Sequence, residues 1–172
     1  MTFDKLKLAH PIIQAPMAGV STPAMAAAVS EAGGLGSIAV GGLDAAGART
    51  MVEAVRALTD RPFNVNLFVH APARPDAETE RRWIDGLTPL FKQYEAAPPT
   101  ALQEIYRSFA QDDAMLEMLV EARPAVVSFH FGLPDAGRIA ALKRAGCLLM
   151  TTATHLHEAL AAKAAGIDAV VA

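Results

Sequence analysis

His130 is the residue of this chain best placed by its neighbours to move a proton. It lies in Val126-Val127-Ser128-Phe129-His130-Phe131-Gly132-Leu133-Pro134, which reads as a buried strand running into a loop. Alternation puts Val126, Ser128 and His130 on one face and Val127, Phe129 and Phe131 on the other. The second face is wholly apolar and suits packing on helices. The first turns polar toward its C-terminal end, where parallel α/β sheets carry their active sites. Gly132 and Pro134 then break the strand and start a helix. An imidazole at that end can serve as a base or acid near neutral pH. A core histidine with its ring hydrogen-bonded is the plainer alternative.

Other segments offer polar groups of the same kind. Gln14 falls on a strand expected over residues 11–17, Asn64 and Asn66 on one over 62–69, and Thr151 or Thr152 on one over 147–152. With Ser128 and His130, four strands each present an amide, hydroxyl or imidazole near the same end. Such convergence points to one shared site. No metal site is expected.

The elements that would position these groups alternate regularly. Helices are expected over residues 22–32, 44–58, 135–145 and 155–165, and strands over 35–40, 125–131 and 167–171, besides the three already given. Ser21 or Thr22, with Pro23, opens the first helix, and Asp44 opens the second. Ala32-Gly33-Gly34-Leu35, Ala145-Gly146-Cys147 and Ala165-Gly166-Ile167 repeat one helix-stop-strand joint, a degenerate internal repeat. Gly34-Leu35-Gly36 follows a helix and precedes a strand, the reverse of a dinucleotide fingerprint, so it reads as a helix stop and turn.

Residues 70–123 break the rhythm after the third strand. Trp83, Leu87, Leu90, Phe91 and Tyr94 suggest one helix packed along an apolar stripe. Leu102, Ile105, Tyr106 and Phe109 suggest another, and Asp112 or Asp113 caps a third. This is a helical excursion that could close over a site or simply form a charged, solvated insertion. Alternation with short joints implies parallel strands. Polar groups at several strand ends favour a (β/α)8 barrel of TIM type over a doubly wound sheet.

Bulk properties narrow the function classes. The chain has 172 residues, 52% hydrophobic and 19% charged, which suits one domain with a sizeable core. A net charge of −3 gives no reason to expect nucleic acid or an anionic membrane as partner. The single cysteine, Cys147, excludes an internal disulfide and suits the cytoplasm. Cys147 reads as an inert core thiol, and His155 and His157 as residues of a helix start. No apolar run approaches a membrane span, and the charged N-terminus does not read as a signal peptide.

Four segments carry a resemblance. They are Pro11-Ile12-Ile13-Gln14-Ala15-Pro16-Met17-Ala18-Gly19, Gly33-Gly34-Leu35-Gly36, Phe63-Asn64-Val65-Asn66-Leu67-Phe68 and Val127-Ser128-Phe129-His130-Phe131-Gly132. In order and over nearly the whole chain, they resemble the nitronate monooxygenases, formerly called 2-nitropropane dioxygenases. Ser-Phe-His-Phe-Gly resembles the class I branch. Ala-Pro-Met is shared with other FMN barrels, including flavin-type enoyl-ACP reductases. The resemblance implies a TIM-barrel FMN enzyme that oxidises alkyl nitronates with dioxygen to a carbonyl compound and nitrite. It implies that the backbone around Ala15, Pro16 and Met17 lines the flavin ring, that Asn66 hydrogen-bonds the flavin, that Thr151 stands on the flavin side, and that His130 is catalytic. His130 could act as a base on a neutral nitroalkane or, protonated, bind an anionic nitronate. Another FMN-barrel reductase of enoyl-ACP or quinone type, or an inactive remnant, is the alternative.

A whole barrel has eight strands and typically about 250 residues, and its phosphate site follows the last two strands; about six strands are expected here. The FMN phosphate has no identifiable anchor among these residues. The expectation is therefore a fragment or truncated form, or a half-barrel completed by a further C-terminal segment or by self-association, which alone binds FMN weakly or not at all.

Overall fold

The structure, a computed structural model, describes residues 2–172. Its centre is a five-stranded parallel sheet in the order β1-β2-β3-β4-β5, comprising β1 (Gly36–Ala39), β2 (Phe63–Phe68), β3 (Val126–His130), β4 (Leu148–Thr152) and β5 (Ala169–Val171). Spatial order follows chain order without reversal. A doubly wound sheet reverses at a switch point, so this winding is that of a (β/α) barrel, here represented by part of one. The helices between strands are α1 (Pro23–Glu31), α2 (Ala45–Arg56), α3 (Ala77–Gln93), α4 (Asp113–Ala122), α5 (Ala136–Arg144) and α6 (Leu156–Ala164).

Five of the six helices start where a short polar side chain accepts from a free backbone N–H, and α6 starts at His155. Thr22 receives Met25 N at 3.1 Å, Asp44 receives Gly47 N at 2.8 Å, Asp112 receives Met115 N at 3.0 Å and Asp135 receives Arg138 N at 3.0 Å. The repeated joints end helices as expected: Gly33, Gly146 and Gly166 all take positive φ, at 90°, 95° and 77°.

The two faces of the sheet differ in chemistry. Ile38, Val65, Leu67, Val127, Phe129 and Leu149 face the helices and pack with Ala48, Val52, Met118, Leu119 and Leu142. The other, inner face begins apolar with Leu35, Val126 and Met150, against which Leu6, Leu8 and Leu148 are packed. The same face carries Ser37 and Asn64 level with Val126, Asn66 and Ser128 level with Met150, and His130 beyond them. Packing of α1 on β1 is backbone to strand: a Cβ built on Gly36 would lie 1.9 Å from Ala26 O. Ser30 ties the same corner, donating to Pro62 O at 2.9 Å and accepting from Gly36 N at 3.1 Å.

Three expectations are corrected. The segment over 11–17 is not a strand. Only Ile13 bridges to Leu35, through Leu35 N to Ile12 O at 2.9 Å and Gln14 N to Leu35 O at 3.0 Å. Pro11 and Pro16 bring no N–H and cannot sustain a ladder. The next rung is made by a side chain instead: Gln14 Oε1 accepts from Ser37 N and Gln14 Nε2 donates to Ser37 O, both at 3.1 Å. Second, no helix covers 102–109. Phe109–Gln111 is a single 3-10 turn, with Phe109 buried and stacked 6.0 Å from Phe129. Third, the alternation that assigns Phe131 to the helical side ends one residue early. Phe131 turns into the left-handed region at φ 70°, and its ring is 63% exposed.

Pro72–Ile105 forms a compact unit separate from the sheet and its helices, whereas α4 belongs with the sheet. Within that unit α3 is capped by Asp76, whose carboxylate accepts from Thr79 N at 2.6 Å, a bond that holds the Asp76 carboxyl below its usual range. The stripe expected to pack is open: Trp83 and Leu90 are exposed and α3 buries no residue. No helix among the described residues is long and apolar enough to cross a membrane.

Candidate active site

The polar residues of the inner face meet at the C-terminal ends of the strands. In register, Asn66 stands opposite Ser128, which stands opposite Met150, while Phe68 stands opposite His130. Asn66 is buried, and its Nδ2 donates to Ser128 Oγ at 3.0 Å and Ser128 O at 3.3 Å. Asn64, one inner position deeper on β2, donates from Nδ2 to Ser37 Oγ at 3.2 Å. His130 crosses from β3 to β4, where its Nδ1 lies 2.9 Å from Thr152 Oγ1. Among the described residues its Nε2 has no hydrogen-bond partner.

These groups line a cavity of about 340 Å³. Ala15, Pro16, Asn64, Asn66, His130, Thr151 and Thr152 all contribute, with Ile13, Phe68, Met150 and Val171 as apolar wall. A few polar groups in an apolar cleft of this size are the usual make-up of a small-molecule site. A second cavity of about 490 Å³ adjoins it, sharing His130, Thr151 and Thr152 and adding Phe131, Gly132 and Glu158. An aromatic rim runs between them: Phe131 lies 4.6 Å from the His130 ring and 5.2 Å from Phe68.

The candidates named from the sequence divide. Ala15, Pro16, Asn66, Thr151 and His130 come together around the first cavity. Met17 is not among its lining residues; its N–H is held by Ser21 Oγ at 2.9 Å and its side chain is 57% exposed. Gln14 is spent on the Ser37 rung rather than on the site. Thr151 is buried, opposite Phe129, and its hydroxyl reaches Phe129 O at 3.4 Å. Strand parity therefore puts Thr151 with the helix-facing residues and Thr152 with Met150 and His130. Cys147 is buried and is not among the cavity's lining residues, and burial pushes its thiol up to about 11.

The family model described as nitronate monooxygenase matches residues 1–172. The chain belongs to the nitronate monooxygenase family. Among its relatives, the nitronate monooxygenase of Paraburkholderia phytofirmans is 57% identical over 167 residues, 97% of this chain and 46% of that protein. That of Pseudomonas aeruginosa is 54% identical, over 97% of this chain and 48% of that protein. The chain thus spans about half the length of the curated relatives it matches. Among solved structures, nitroalkane oxidase from Streptomyces ansochromogenes superposes with a TM-score of 0.86 at 42% identity, covering 100% of this chain and 48% of that one. FabK from Thermotoga maritima superposes at 0.71 with 29% identity, covering 99% and 42%.

Two of the lining residues were named from the sequence only as polar groups on strands, with no role of their own. Thr152 could not be told from Thr151, because Leu148-Leu149-Met150 gives no polar alternation to set the parity of β4. Asn64 was legible as a polar residue on a strand, two residues from Asn66 and so on the same face, but nothing in the sequence marks its amide as unpaired.

Proposed function

We propose that this chain supplies the catalytic face of an FMN-dependent nitronate monooxygenase, which oxidises alkyl nitronates with dioxygen to a carbonyl compound and nitrite. The observation that carries the reading is the convergence of His130, Thr152, Asn64 and Asn66 on one apolar-walled cavity at the strand ends. The family and the nitroalkane oxidase likeness support the same reaction class.

The residues present fit a flavin ring. Ile13, Pro16, Phe68 and Met150 offer flat apolar contact, and the buried Asn64 Oδ1 has no partner of its own among the described residues. In this reading the backbone at Ala15 and Pro16 borders the ring, with Met17 just outside the cavity; Asn66 stands on its polar side, Thr151 lies beneath, turned to Phe129 O, and FMN supplies the electron transfer. His130 faces the substrate. Its Nδ1 is engaged by Thr152, so Nε2 is the nitrogen that takes a proton from the carbon beside a nitro group or, protonated, holds a nitronate's charge. The substrates are small molecules together with dioxygen, and a cytoplasmic location goes with the single buried cysteine.

The test is an assay of the protein as its natural reading frame encodes it, reconstituted with FMN. Nitrite released from an alkyl nitronate under oxygen is the expected result. Rapid flavin reduction by NADH or NADPH without nitrite would instead identify a reductase of the enoyl-ACP or quinone type.

A further inference from the structure

His130 lines both cavities, and the second is set apart by what its walls leave free. Besides His130, every polar side chain that lines it is already engaged. The Thr151 hydroxyl reaches Phe129 O at 3.4 Å, and that of Thr152 meets His130 Nδ1 at 2.9 Å. The Thr154 hydroxyl donates to Glu158 Oε2 at 2.8 Å, and the same oxygen accepts from Thr154 N at 2.6 Å. Phe131, Gly132, Leu133 and Ala161 make up the rest of the wall. A ligand there meets one unengaged imidazole nitrogen, then only carbon and paired groups. An alkyl chain gains from such a wall, whereas a chain of hydroxyls would give up hydration without return.

The turn after β3 is shaped to put a ring on this rim. Phe131 has φ 70°, where a bulky side chain is strained, and such strain persists only where the surroundings impose it. Gly132 follows at φ 144°, and a Cβ on it would lie 2.7 Å from Val69 O. The Phe131 ring is thereby held 4.6 Å from the His130 ring and 5.2 Å from that of Phe68, instead of entering the helical layer.

We infer that the second cavity is the subsite for the alkyl tail of the substrate, with Phe131, Leu133 and Ala161 as its apolar wall. The inference rests on the nitronate reading above. With the flavin ring in the first cavity, the head of a nitronate has to touch both that ring and His130, the residue that the two cavities share. The tail is left with the second cavity.

Ala161 is an exposed residue of α6, so it can be enlarged without disturbing the core. The experiment compares wild type, Ala161→Phe and Ala161→Glu, each reconstituted with FMN as the natural reading frame encodes the protein, on ethyl and hexyl nitronate. A ring in the groove, or a second carboxylate beside Glu158, should raise KM for hexyl nitronate about ten-fold, the loss of one or two methylene contacts, and leave ethyl nitronate within about two-fold of wild type. Hexanoate and acetate, planar two-oxygen anions that do not turn over, give a readout apart from activity. Titration followed by flavin absorbance should show hexanoate weakened in the same proportion and acetate unchanged. Equal effects on short and long ligands, or no effect on the long ones, would overturn the inference. Wild-type protein that releases no nitrite from either nitronate would defeat the nitronate reading, and the inference with it. Should Ala161→Phe misfold, Ala161→Glu, a good helix former at an exposed position, still decides.

Discussion

In the proposed function His130 and Thr152 work as a pair, and the bond between them leaves Nε2 as the unengaged imidazole nitrogen. A hydroxyl at 2.9 Å from Nδ1 fixes the ring's rotation about its Cβ–Cγ bond and leaves Nε2 toward the cavity. A neutral hydrogen bond of this kind is worth about 1 kcal/mol net. Thr152→Val should accordingly lower kcat on nitroalkanes by roughly three- to ten-fold with KM nearly unchanged, and Thr152→Ser should restore it. Steady-state kinetics across pH check this, because a loosened imidazole also shifts the pH profile. Unchanged kinetics in Thr152→Val would mean that Thr152 does not position the ring. At this scale the sequence was informative about residue type and weak about direction. His130 and Asn66 were legible from alternation within polar-marked strands. The unpaired oxygen of Asn64 and the parity of Thr152 depend on register between strands, which no single segment encodes.

The elements were legible where local chemistry dictates them. Short polar caps and glycine stops marked the helix ends, and Asp44, Asp112 and Asp135 all cap as their positions suggest. Where tertiary partners decide, local reading failed. Residues 11–17 look like a strand by composition, but Pro11 and Pro16 break the ladder, and a Gln14 side chain substitutes for one rung. Residues 102–109 carry helical spacing, yet Tyr106 and Phe109 serve as aromatic contacts to Phe68 and Phe129. The most demanding joint is α1 on β1. A side chain at Gly36 would drive into the Ala26 carbonyl at 1.9 Å, and neither backbone can yield without moving the Ser30 tie. Gly36→Ala should destabilise the protein by about 2–3 kcal/mol, as overpacking of a close contact does. Urea denaturation measures this, and a variant as stable as wild type would show that α1 is free to shift.

At the scale of the whole molecule, one-directional winding gathers polar strand ends on the inner side. Five strands in chain order bring residues from β2 to β5 to a common cavity. The apolar half of the inner face, around Leu35, Val126 and Met150, holds those strands at fixed register. The barrel class was legible from alternation and from polar groups recurring at one end of successive strands. The extent of the excursion was less so: residues 72–105 form a unit of their own, while α4, which the sequence grouped with them, packs with the sheet. The helical spacing of α4 resembles that of α3, and only its packing against α2 and α5 separates the two. The direct test is His130→Ala in the FMN-reconstituted protein, following nitrite from a neutral nitroalkane and flavin affinity side by side. A site organised around this imidazole predicts unchanged flavin binding with nitrite formation slowed at least about 100-fold, more than on the preformed nitronate. Turnover of the neutral nitroalkane at the wild-type rate would contradict it.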